Sequence, residues 1–308
     1  MSPELSPAER LRRLRTEGGL KFFPSRTRLT FRGADTVRYL NGQISNNVLS
    51  ASVDRSVEAC VLTAKGKLCG VVRVWPAGDE WEMDAEAGEG ETLRNRFERY
   101  IIADDVVCEE RPGGVNLCHV FGPAAEAAIF PCGVRTSRVG TPGIDAFGDA
   151  SEQRQGVDSL KAAGVLEATD VEWDVLRISA CVPAWGLELN EDRLPAEAGL
   201  DQTAVDFFKG CYVGQEVVSR IRSVGRVNRE LRLLVIEALH PPAPGGELLA
   251  GDTVVGLLTS VAVDFDLSRT VALGYVKHPH ESGGTRLRVR VDGAEVGEAI
   301  VQDVESKI

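Results

Sequence analysis

Short stretches of alternating polar and apolar residues, broken by glycine turns, set the hydrophobic pattern of this chain. Arg28-Leu29-Thr30-Phe31-Arg32 has the period of two that marks a half-buried strand. Gly33-Ala34-Asp35 turns the chain into a helix over residues 36–42, with Asp35 the expected N-cap and Val37, Leu40 and Ile44 at the spacing of one helical face. The same strand, glycine turn and helix return in weaker form over residues 115–121, Gly122-Pro123 and residues 124–130, which suggests a repeated α/β unit of the split-βαβ kind. Between the two copies, residues 59–63 and 68–75 flank Ala64-Lys65-Gly66-Lys67 as a hairpin with a basic tip. Residues 81–85 and 106–108 read as further strands, and Leu93, Phe97 and Tyr100 form one stripe of a helix over 91–100.

Glycine and turn formers crowd residues 131–150, which read as loop apart from an edge strand over 135–139. Helices are expected over 156–163 and 170–179, the latter with Val171, Val175 and Ile178 at helical spacing. Residues 180–204 carry Pro183, Gly186, Pro195 and Gly199 and have no regular period; a loop of this length either lines a site or forms an excursion between domains. Beyond Arg229 the pattern changes to short, evenly spaced apolar runs over 230–236, 247–249, 254–259, 271–276 and 285–291, which predict a β-barrel or sandwich.

A length of 308 residues exceeds what one hydrophobic core usually serves, so two or three domains are expected. The formal net charge of -11 argues against nonspecific nucleic-acid binding, and stable nucleic-acid binding is not expected, although one local basic patch stays open. No secretory core or membrane-length apolar run occurs, which predicts a cytoplasmic protein with no membrane partner. Nothing in the sequence demands more than a monomer. The seven cysteines are odd in number, widely spaced and free of any CxxC, so neither a disulfide framework nor a local metal site is expected.

The densest chemistry lies in Lys209-Gly210-Cys211-Tyr212-Val213-Gly214-Gln215-Glu216, which leads into a short helix through Arg222. Two readings stand here. Glycines on either side of a thiol make a tight turn that presents it, with the helix N-terminus and Lys209 favouring a thiolate. Alternatively the turn is structural and the cysteine an inert filler. Lys209, Arg220, Arg222 and Arg226 form a local basic concentration, read either as a solvated face or as a guide for an anionic ligand tail or an RNA backbone.

That eight-residue stretch resembles the KGCYxGQE signature of the YgfZ family, folate-binding proteins of the glycine-cleavage T-protein (aminomethyltransferase) superfamily linked to iron–sulfur protein maturation and tRNA modification. Gly33-Ala34-Asp35 with Tyr39 to Asn47, the Ala64-Lys65-Gly66-Lys67 hairpin, and Leu176-Arg177-Ile178 with Pro183 to Gly186 and Leu194 to Leu200 are similar to other segments of the family. Ala64 in place of a common proline and Ala180-Cys181 in place of Ala-Gly depart from it.

The resemblance implies an α+β, three-domain T-protein-like fold, with two ferredoxin-like or split-βαβ domains and a C-terminal β-barrel around a central cavity. The expected boundaries are residues 1–50 plus 140–228 for a discontinuous folate-binding α/β domain, 51–139 for an inserted α/β domain and 229–308 for the barrel.

It implies tetrahydrofolate or a derivative as cofactor, transient contact with an iron–sulfur cluster, and iron–sulfur enzymes or their assembly proteins as partners. The expected role is an accessory factor in assembly or repair of such enzymes, including those that modify tRNA; the alternative is a folate-dependent aminomethyltransferase or related one-carbon transferase. Cys211 and Lys209 are the expected reactive pair. Glu188 is the candidate for the pterin-facing acid, because a carboxylate accepts two hydrogen bonds from the pterin's N–H edge. Gln43, Asn46, Tyr212 and Arg226 are the other expected folate contacts. Asp54 lies nearest to where aminomethyltransferases carry their catalytic aspartate.

Overall fold

The computed structural model describes residues 5–111, 115–148 and 150–303. Helix α1 (Pro7–Thr16) starts on Ser6, whose hydroxyl accepts from Glu9 N, with proline at the first turn where no donor is missed. Strand β1 (Gly19–Arg32) follows, then α2 (Thr36–Gln43), β2 (Val57–Leu62), β3 (Leu68–Ala77), β4 (Glu80–Ala85), α3 (Gly90–Glu98), β5 (Val107–Glu110) and β6 (Val115–Phe121). Next come β7 (Gly133–Ser137), β8 (Pro142–Phe147), α4 (Ala150–Ala162), β9 (Leu166–Glu167), α5 (Asp170–Ser179) and α6 (Gln215–Val224). The last six strands are β10 (Arg229–Ala238), β11 (Glu247–Ala250), β12 (Thr253–Asp264), β13 (Arg269–Lys277), β14 (Arg286–Val291) and β15 (Ala294–Val301).

Strand β1 is long enough to serve two halves of one sheet. Its residues 27–31 pair antiparallel with β4 and 29–32 with β5, whereas residues 19–26 pair antiparallel with β6. The resulting order is β2-β3-β4-β1-β6-β8-β7. The ladder to β6 is irregular between Phe23 and Arg26, where proline lacks the donor for a regular ladder and Ser25 takes a φ of 58°. Helices α2 and α3 close one half over Leu29, Phe31, Leu40, Met83 and Phe97; the other half packs Leu20, Val120 and Ala146 against Val157 and Leu160 of α4. Strands β10-β13-β12-β11-β14-β15 form a closed barrel, which meets α5 through Ile178, Leu231, Val271 and Leu273.

Several local expectations change. Asp35 precedes α2 without capping it through its side chain; its Oδ2 accepts from Asp105 N instead. Val37 is exposed, and Tyr39 takes the core position, its hydroxyl donating to Phe97 O. Residues 142–147 are strand β8 rather than loop, because pairing on both flanks with β6 and β7 outweighs the local turn chemistry of Pro142-Gly143. The helix expected over 124–130 is a 3-10 segment, Gly122–Ala127. Val171 on α5 is exposed, and Trp173 and Leu176 are buried beside Val175 and Ile178. Strand β15, with Glu295, Gly297 and Glu298 diluting its apolar pattern, escapes the periodicity and closes the barrel by pairing with β10 and β14.

Candidate functional site

A cavity of about 430 Å³ opens where β1, β3, the start of α3, α5 and the long loop of residues 180–204 converge. Phe23, Trp173 and Trp185 supply aromatic surface, Val71, Leu93, Val182 and Leu189 apolar surface, and Arg26, Glu58, Arg73, Arg138 and Arg177 the charged wall. Its size and its few convergent polar groups on apolar walls are those of a small-molecule site.

A buried ion network underlies the charged wall. Arg26 donates two parallel bonds to Asp84, at 2.9 and 2.8 Å, and Arg138 Nη2 reaches both Asp84 Oδ2 at 2.6 Å and Asp145 Oδ2 at 2.7 Å. Arg138 therefore ties β4 to β8 across β1 and β6. Burial alone would push the two carboxyls up; Arg138 together with Arg26 at Asp84, and Arg138 together with His119 at Asp145, outweigh it, and both lie below the usual carboxylate range. His119, fully buried, is pushed down by desolvation and so is neutral, with Nδ1 donating to Asp145 Oδ1 at 2.8 Å and Nε2 without a partner among the described residues. Arg177 is spent on Asp174, Glu188 and Ser260. Trp185 Nε1 donates to Glu89 at 3.0 Å, and burial raises that carboxyl.

The stretch from Lys209 to Glu216 lies elsewhere and works as a clamp. The Lys209 ammonium donates to the carbonyls of Asn41, Ile44 and Asn46 at 2.6, 2.8 and 2.7 Å, which uses all three of its protons at the end of α2. Backbone bonds from Val213 N to Gly42 O and from Asp206 N to Ser45 O extend the seam. Gly214 sits at φ 87°, and a Cβ there would lie 2.6 Å from Thr63 O, so only glycine lets this turn rest on the hairpin of β2 and β3. Cys211 is exposed on this bend.

Residues 229–304 match the glycine cleavage T-protein C-terminal barrel domain. Over 238 residues the chain is 27% identical to the tRNA-modifying protein YgfZ of Yersinia pestis (strain Pestoides F), covering 71% of this chain and 72% of that one. The protein of the same description from Yersinia enterocolitica is 26% identical over 241 residues, with the same coverage. The crystal structure of glycine cleavage system aminomethyltransferase T from Bartonella henselae superposes with a TM-score of 0.81 over 99% of this chain and 91% of that one, at 18% identity. At that identity the likeness concerns the fold, and it bears out the α+β T-protein-like architecture with its C-terminal barrel. These likenesses support the resemblance of this chain to the YgfZ family within the T-protein-like superfamily.

The loop of residues 180–204 does line the cavity, but the individual site residues expected from sequence are scattered and none of them lines it. Glu188 is fully buried behind the wall: Oε2 accepts from Arg177 and from Ala184 N, and Oε1 from Ser260, so both oxygens are engaged and neither faces the cavity. Gln43 is buried and accepts from Arg96, and Asn46 bridges the carbonyls of Glu58 and Thr203. Tyr212 packs in a core with Cys60, Leu62, Leu189 and Val218; burial raises its hydroxyl to about 12, and its oxygen has no partner among the described residues. Arg226 donates to the His278 ring at the barrel edge.

Lys209 faces carbonyls, and burial lowers its ammonium to about 8; its three protons are spent on holding the bend. Helix α6 begins only at Gln215, beyond the cysteine, so Cys211 stands outside its first turn. Asp54 is exposed and bonded by the Ser52 hydroxyl, away from the cavity. No group of three metal-binding side chains occurs among the described residues, and none of their helices is long and apolar enough to cross a membrane.

The cavity residues that sequence reasoning passed over are Arg73, Glu58, Arg138, Glu89 and Trp173; Trp185 lies in a segment quoted above but was given no role. One signal was available: Arg73 interrupts the apolar run Val71-Val72-Arg73-Val74 inside a strand, where an arginine is costly unless paired.

Proposed function

We propose that this chain is a folate-binding accessory factor that supports assembly or repair of iron–sulfur proteins, among them enzymes that modify tRNA. The observation that carries it is the cavity in a chain that resembles the YgfZ family: about 430 Å³, lined both by aromatic side chains and by charged donors and acceptors. That donor set fits tetrahydrofolate. Trp173, Trp185 and Phe23 offer faces for the pterin and the aminobenzoyl ring, and Glu58 and Arg73 offer partners for its polar edge. Bound folate supplies a carrier for one-carbon units. The protein's own residues bind and orient it and shield it from water.

Cys211 belongs to a different part of the molecule. Its exposure suits contact with a partner protein, a transferred sulfur or a cluster, while the Lys209 clamp holds the bend that carries it. The relatives named tRNA-modifying proteins favour a role upstream of tRNA modification. An aminomethyltransferase reading would require a carboxylate free to act in the cavity. Each carboxylate there already has a partner, Glu58 the Arg73 guanidinium through one oxygen, Glu86 that of Arg26 and Glu89 the Trp185 indole, so none stands as an unpaired base, which favours the accessory role.

The test has two arms. Anaerobic calorimetric titration with tetrahydrofolate should show saturable binding, and Cys211→Ala should fold normally, bind folate like wild type and fail to restore iron–sulfur enzyme activity in a deletion strain. Full restoration by Cys211→Ala would remove the role of the thiol, and absence of folate binding would remove the cofactor.

A further inference from the structure

We propose that Glu58 and Arg73 together recognise the 2-amino-4-oxo edge of a bound pterin, the carboxylate accepting from the amino group and ring N–H while the guanidinium donates to the ring carbonyl. This rests on the folate reading above and names the pair that would set its specificity. The two residues lie directly opposite each other on β2 and β3, and both line the cavity. Arg73 Nη2 donates to Glu58 Oε1 at 2.7 Å and to Ser137 O at 3.0 Å, and Nε donates to Thr136 Oγ1 at 3.1 Å. These bonds fix the plane of the guanidinium and use neither Nη1 nor Glu58 Oε2. Nη1 and Glu58 Oε2 thus stay available to a ligand on a preorganised frame.

The other charged groups of the wall are committed. Arg26 is held by Asp84 and Glu86, Arg138 by Asp84 and Asp145, and Arg177 by three partners. Glu89 has only the indole N–H beside it, already engaged, so it cannot offer a neighbouring donor. Desolvation lowers the Arg73 pKa, and the nearby Arg138 charge adds to the effect; an additional acceptor at this guanidinium would relieve both.

A paired donor–acceptor site rejects an analogue that reverses its hydrogen bonds. The probes are tetrahydrofolate and its 4-amino-4-deoxy counterpart, in which an amino donor replaces the ring carbonyl and the neighbouring ring N–H becomes an acceptor, titrated anaerobically by calorimetry against the full chain. Wild type should bind the 4-oxo form at least about tenfold more tightly than the 4-amino form, which amounts to the loss of one hydrogen bond to a charged group. Glu58→Gln should weaken the 4-oxo ligand by about tenfold or more, and Arg73→Gln, whose amide can donate or accept, should bring the two affinities close together.

Equal wild-type affinity for both ligands overturns the assignment while leaving folate binding intact, and this needs no variant to fold. So does an unchanged preference in a folded Glu58→Gln or Arg73→Gln protein. Failure of wild type to bind either probe overturns the folate reading itself, and this proposal with it.

Discussion

Replacing Lys209 with methionine tests whether the signature stretch is first a clamp. Methionine retains an apolar stem of similar length that can lie against the Tyr212 ring, over which the ammonium sits at 5.2 Å, but it offers no donor to Asn41, Ile44 and Asn46. Each charged hydrogen bond contributes about 1.5–3 kcal/mol, and the half-buried ammonium gives part of that back in lost hydration. The net loss should be about 2–4 kcal/mol, concentrated where α2 meets the bend. In a thermal melt at pH 7 this lowers the midpoint by several degrees. Hydrogen exchange should quicken at the amides of Val213 and Asp206, which bond to Gly42 O and Ser45 O across the same seam. Cys211→Ser is the control: an exposed side chain should change stability by no more than about 0.5 kcal/mol. Wild-type melting and exchange in Lys209→Met would refute the clamp, and so would a Cys211→Ser protein equally destabilised.

Two further outcomes follow from the buried charges. Glu188→Gln keeps the shape but removes the charge that faces Arg177, so it should cost about 3 kcal/mol in a denaturant titration and change tetrahydrofolate affinity by less than about threefold. A large affinity loss at normal stability would return Glu188 to the binding site. Asp145→Asn should destabilise by about 3–5 kcal/mol at pH 7 by leaving Arg138 and His119 with a neutral partner. Because the folded carboxyl lies below its ordinary value, its contribution is complete above about pH 4 and is lost as pH falls further through the folded pKa. The gap between wild type and Asp145→Asn, followed by urea midpoints from pH 7 down to pH 3, should therefore narrow at the acid end; a gap that widens there contradicts the assignment.

The local elements were legible from sequence because each is dictated by neighbours in the chain. The hairpin around Lys65, the alternation in β1 and the short strands after Arg229 follow from side-chain period and turn residues, and the Thr169–Glu172 capping box starts α5 from its own first turn. The signature stretch was equally visible, as a run of glycines, a lysine and a cysteine. What it does was not visible, since Lys209 finds its acceptors 163 to 168 residues away, and only folding brings those carbonyls to it.

Tertiary structure alone decided the cavity. Its walls come from Phe23, Glu58, Arg73, Arg138, Trp173 and Trp185, and its charges are sorted by long-range pairing that no periodicity encodes: Glu188 drops out because Arg177 and Ser260 use it, and Arg73 stays available because a single carboxylate holds it. Local sequence sets backbone preference. Which buried charge remains free for a ligand depends on partners that distance along the chain conceals.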